Sequence, residues 1–296
     1  MQASEGDRPL GKSAAILALR RRFAALRPEV EVSPAGSVAR IEDNLLPGGE
    51  PRHFVEDLAR GDGNDLESKF RAVHSSAALA VNTSARFKDE PAHLMLAGVG
   101  GFEALTFERA CPTGLRGGRP PNLDLLAQGP AGVVGVESKF TEPLQPTTPC
   151  FSPEYAKQIR DERRAGVWYS AMETVLAQPD SFSSLDVAQL IKHAFGLARC
   201  FKGQRTTLLY LYWEPQDADR DAVILAHRRE IERFARLVVG GFPAFRAQNY
   251  WELCAEWQQA APTHWLKEHV GNLRARYGVS LDDCTRASAA TAHSPI

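Results

Sequence analysis

Two short strand-like runs, Pro121-Asn122-Leu123-Asp124-Leu125-Leu126 and Val133-Val134-Gly135-Val136-Glu137-Ser138-Lys139-Phe140, flank the segment Gly129-Pro130-Ala131-Gly132. Glycine supplies backbone freedom there and proline fixes a turn dihedral, so the chain is expected to reverse tightly at this point. A reversal centred between Pro130 and Ala131 sets Asp124 directly across from Glu137, on one face and with Cβ atoms roughly 5 Å apart. Lys139 shares that face, because side chains repeat every second residue along a strand. The opposite face of the second run reads Val134, Val136, Ser138 and Phe140, which suits a sheet buried against helices. Two acids held this close repel each other and raise a pKa unless positive charge sits between them. A divalent metal and the lysine are the natural neutralisers.

At 296 residues and 44% apolar content, the chain can bury a sizeable core. A net charge of −1 excludes a polybasic nucleic-acid coat but leaves room for a local basic groove. The five cysteines, Cys111, Cys150, Cys200, Cys254 and Cys284, are scattered and odd in number, without the paired spacing of a zinc site or disulfide framework. They read as reduced thiols of a cytoplasmic protein. The arginine-rich stretch from Lys12 to Leu26 lacks an apolar signal region, and no run approaches about 18 apolar residues, so neither secretion nor a membrane span is expected.

Along the chain, Ser13 to Leu26 has helical spacing, with Arg20, Arg21 and Arg22 read first as a solvated face and second as a DNA contact. Residues 1–50 therefore read as an N-terminal helix and linker. Asn64 to Phe87 carries a long helical pattern, with Glu67, Arg71, His74 and Ser75 on a polar line beside the apolar stripe. Glu67 either closes a capping box with Asn64 or looks into the active site as a third acid, and the two roles are compatible. Ala104 to Cys111 reads as a strand, followed by a Gly/Arg/Pro-rich connection. Residues 141–184 form an insertion suited to a lid or substrate-binding arm. A helix from Ser184 to Phe201 and a strand from Thr206 to Trp213 complete a core over 51–215. Residues 216–282 read as a C-terminal helical extension with a mixed strand-helix segment inside it, and 283–296 as a disordered tail.

An α-β-β-β-α-β order with an Asp on the second strand and Glu-x-Lys on the third resembles the PD-(D/E)XK nuclease superfamily, the restriction-endonuclease-like fold. Within it, Leu66 to Ser76 together with Pro120-Pro121-Asn122-Leu123-Asp124 is most similar to a bacterial restriction endonuclease family. The resemblance implies an α/β fold, a mixed sheet flanked by helices, with helical N- and C-terminal additions. The superfamily's Pro-Asp is Leu123-Asp124 here, with prolines two and three residues earlier than the usual place.

By this resemblance Asp124 and Glu137, with the main-chain carbonyl of Ser138 and with Glu67 directly or through water, would bind Mg²⁺ or Mn²⁺, since oxygen donors suit hard cations. Lys139 would orient or deprotonate the attacking water, and Gln189 matches a position where relatives carry a supporting glutamine or lysine. Arg116 and Arg119, just before the catalytic strand, and His74, Ser75, Lys192 and His193 are candidate DNA contacts. The implied activity is metal-dependent hydrolysis of phosphodiester bonds in double-stranded DNA, of restriction or defence type. Cutting both strands would favour a homodimer. Alternatives are a repair or recombination nuclease acting on ends or branched DNA, or a catalytically silent DNA-binding protein.

Overall fold

In a computed structural model, the described residues are 10–60, 70–114, 120–153, 155, 166–260 and 263–292. In chain order the elements are helices α1 (Lys12–Leu26), α2 (Val55–Arg60) and α3 (Ser76–Ser84), then strands β1 (Ala104–Ala110), β2 (Asn122–Gly129) and β3 (Gly132–Lys139). Helices α4 (Gly166–Ala177) and α5 (Val187–Cys200), strand β4 (Thr206–Tyr212), helix α6 (Ala222–Leu237) and strand β5 (Ala244–Asn249) follow. Helices α7 (Tyr250–Gln259), α8 (His264–Tyr277) and α9 (Leu281–Ala292) end the described chain.

The five strands form one sheet in the order β1-β2-β3-β4-β5. β1, β2 and β3 run antiparallel in turn, whereas β4 is parallel to β3 and β5 is parallel to β4. The α/β class and the mixed sheet are those of the restriction-endonuclease-like fold. Apolar residues on both faces bury the middle of the sheet. Leu125, Ala127, Val134, Val136, Leu209 and Leu211 pack toward α3, α7 and α8. Leu126, Val133, Leu208 and Tyr210 pack toward α4, α5 and α6.

The β2–β3 reversal has the register expected from the sequence: Gly129 pairs with Gly132 and Leu125 with Val136. Two glycines let α5 lie close to this hairpin. A Cβ on Gly135 would stand 2.9 Å from the Leu197 side chain, and one on Gly196 would stand 2.2 Å from the Cys111 carbonyl oxygen. Neither approach leaves room for a larger residue.

Two expectations are corrected. Of the helix expected from Asn64 to Phe87, residues 64–69 lie outside the described residues and the described helix begins at Ser76, because the Ser75 hydroxyl accepts the Ala78 N–H as an N-cap and residues 70–74 are held instead by backbone bonds to the segment after α1, Val38 N–H to Arg71 O and Val73 N–H to Gly36 O. The mixed strand-helix segment expected within the C-terminal extension is β5 followed by α7, and β5 joins the central sheet. The tail expected to be disordered from residue 283 is helical as far as Ala292, with Cys284 buried against the core around α1.

Candidate active site

The site is built where the β2–β3 ladder ends. One residue beyond the Leu125–Val136 pair, the Asp124 carboxylate takes the Ser138 backbone N–H through Oδ2 at 2.7 Å. A side chain thus replaces a ladder bond and is fixed by the strand that carries the other acid. On β3, Glu137 is 1% exposed. Its Oε1 lies 2.6 Å from Lys139 Nζ, and its Oε2 lies 2.7 Å from His193 Nε2. Lys139 also donates to Gln189 Oε1 at 2.9 Å.

Helix α5 delivers the last two partners. Asp186 caps it, its carboxylate accepting the Gln189 N–H at 2.9 Å. Gln189 and His193 are four residues apart and so share a helix face, which is turned to β3. Below the acids, Ser138 Oγ is bonded to Tyr250 Oη at 2.6 Å, and the Phe140 N–H donates to Glu142 Oε2 at 2.7 Å.

These contacts set the charges. Burial is the largest effect on Asp124 and pushes it well above the usual carboxylate range; the Glu137 and Glu108 carboxylates push the same way, and Lys139 and the Ser138 N–H oppose them. Burial alone would raise Glu137 too, but Lys139 and His193 overcome it and hold Glu137 at about 2. Burial would lower Lys139, yet Glu137 and Asp124 raise it above its ordinary value. Burial and the neighbouring acids therefore outweigh what Lys139 and the Ser138 N–H offer Asp124, and its protonated form is favoured. Two carboxylates with a nearby main-chain carbonyl form the oxygen donor set that a hard cation takes. Among the described residues no three His, Cys, Asp or Glu side chains converge on one metal position by themselves, so water would complete such a shell.

The remaining expected site residues divide. Glu67, Arg116 and Arg119 lie outside the described residues. Lys192 donates to the Cys150 carbonyl at 2.8 Å and stands over the Phe151 and Tyr155 rings. His193 is corrected from a DNA contact to a partner of Glu137, since at 1% exposure it is out of reach of a phosphate. Ser75 is corrected likewise: its hydroxyl is engaged in capping α3. His74 is half-buried with burial, then Arg20 and Lys12, lowering its pKa, and its buried Nδ1 has no partner.

Glu108 was not anticipated. It lies between the β1–β2 pairs Phe107–Leu125 and Arg109–Leu123, which sets it across from Asp124, and its φ of 48° is left-handed. The turn between β2 and β3 reveals their register in the sequence, whereas the long connection between β1 and β2 hides theirs.

The model of a family described as "Restriction Endonuclease associating with ARP" matches residues 28–278. The chain belongs to this family. The match spans the whole sheet and every site residue named above, and membership makes the protein a nuclease of the restriction type. No curated protein and no solved structure matches the chain. Among the described residues no helix is long and apolar enough to cross a membrane.

Proposed function

We propose that this restriction endonuclease family member hydrolyses phosphodiester bonds in double-stranded DNA with Mg²⁺ or Mn²⁺, at a centre formed by Asp124, Glu137 and Lys139. The observation that carries the reading is the meeting of the two carboxylates and the ammonium at the end of one hairpin, with Lys139 Nζ 2.6 Å from Glu137 Oε1 and with burial and the neighbouring acids raising the pKa of Asp124. Asp124, Glu137 and the Ser138 carbonyl would hold the cation. When bound, it supplies Lewis-acid polarisation of the scissile phosphate and a water more easily deprotonated. Lys139 orients that water and offsets charge developing on the phosphate, and Gln189 holds the lysine in place.

The test is incubation of the protein and its Lys139→Ala variant with unmodified plasmid and linear duplex DNA, in Mg²⁺, in Mn²⁺ and in chelator. Cleavage in both metals, none in chelator, and a loss of at least about 10²-fold in the variant are expected. Discrete fragments would mark restriction-type specificity. Equal cutting by the variant and the natural protein, or cutting in chelator, would overturn the assignment.

A further inference from the structure

We propose that His193 is a positioning residue for this reaction, holding the Glu137 carboxylate in the one orientation from which it meets a cation. The inference rests on the assignment of Glu137 to the metal centre. A carboxylate oxygen accepts, so His193 Nε2 donates in the 2.7 Å bond to Glu137 Oε2. The other ring nitrogen, Nδ1, is buried and has no hydrogen-bond partner among the described residues. The ring is therefore held by its packing in α5 and by one polar contact, and that contact is to Glu137.

Lys139 on Oε1 and His193 on Oε2 grip the carboxylate from both ends. Both sides of the His193 contact are sealed from water, with side-chain exposures of 0% and 2%, so no solvent molecule replaces the donor if it is lost. Without it, Glu137 keeps the lysine and loses the constraint on its second oxygen. The carboxylate can then rotate toward the ammonium and away from the cation. Partners of metal ligands act in this way elsewhere, and their removal typically weakens metal binding by about 10–100-fold.

The three variants that separate this role from plain packing are His193→Leu, His193→Gln and His193→Asn. A glutamine amide reaches about as far as Nε2 and can donate to Glu137, whereas an asparagine amide reaches only as far as Nδ1. Mn²⁺ binding is titrated calorimetrically without DNA, plasmid cleavage is measured across Mg²⁺ concentration, and thermal melts report folding. We expect Mn²⁺ affinity to weaken, and the Mg²⁺ concentration needed for cleavage to rise, at least about tenfold in the leucine and asparagine variants. The glutamine variant should stay within about threefold of the natural protein.

Glutamine and asparagine variants of equal affinity, or a folded leucine variant that binds Mn²⁺ as the natural protein does, would overturn the positioning role. Natural protein that binds Mn²⁺ and cuts DNA would then leave the nuclease assignment standing. Natural protein that neither binds Mn²⁺ nor cuts DNA in either metal would overturn both.

Discussion

The hairpin end of β2 and β3 and the layer formed by α1, α8 and α9 both bring basic side chains to buried or partly buried places, but they use them oppositely. At the hairpin, Lys139 meets carboxylates, and burial with the neighbouring acids still raises the pKa of Asp124. In the helical layer the arginines meet main-chain carbonyls: Arg20 donates to Ser33 O and Pro34 O, Arg21 to Arg286 O, and Arg22 to Ala275 O. Arg276, 3% exposed, donates to Val73 O and lies over the Phe23 and Tyr277 rings. In the first region burial and pairing push the two acids in opposite directions, as sites of chemistry do. In the second, charge ties together segments from the two ends of the chain, and the three consecutive arginines of α1 each bond main-chain carbonyls.

The sharpest break of this comparison is Arg276→Ala. Loss of a buried cation with its carbonyl bond and ring contacts is expected to cost about 3 kcal/mol of unfolding free energy. Cleavage per folded molecule should be unchanged. A urea titration alongside the plasmid assay checks both, and a stable but inactive variant would place Arg276 with the site instead.

Acid should destabilise the fold through His227, on the α5 side of the sheet. Burial, the largest effect, pushes His227 down to about 4, and its Nε2 is bonded to Tyr210 Oη at 3.0 Å. The unfolded chain takes up a proton near pH 6.5 and the folded chain only near 4. Between those values the unfolded state binds more protons, so stability falls as pH falls, by roughly 3 kcal/mol across the window, and levels off below it. Denaturation midpoints in that range for the natural protein and His227→Gln check the slope, which should flatten in the variant.

Asp124→Asn should remove function yet leave the metal-free protein as stable or more so, by about 1 kcal/mol, because the amide oxygen can still accept the Ser138 N–H while the repulsion with Glu137 disappears. Added Mg²⁺ should raise the melting temperature of the natural protein and not of the variant. A clear loss of stability in chelator would mean that the carboxylate is favourably held as it is. The smallest effect belongs to Arg22→Ala, a few tenths of a kcal/mol for one exposed bond, with no change in the salt dependence of DNA binding. A shallower salt slope would return this arginine to the phosphate contacts.

Much of the core was legible because it depends on local rules. The Gly129-Pro130-Ala131-Gly132 reversal determined the register of β2 and β3, and with it the meeting of Asp124, Glu137 and Lys139. The apolar stripe of α5 was readable, and so was the spacing of Gln189 and His193. What His193 does was not, since a polar residue on a helix face has no readable partner until the helix is docked. The helix start at Ser76 was misplaced for a related reason. Residues 70–74 have helical periodicity, but their backbone bonds go to the segment after α1, a competition that no local pattern records.

The sequence by itself determined the α/β class, the order of the core elements and the acid pair with its lysine, all consequences of turn chemistry and side-chain periodicity within short stretches. Only the tertiary structure decided that β5 extends the sheet, that Glu108 faces Asp124 from β1, that α9 packs on α1, and that His193 grips Glu137. Each of these is a contact between segments separated by a long connection or by whole elements, where packing and burial, not local spacing, select the partner.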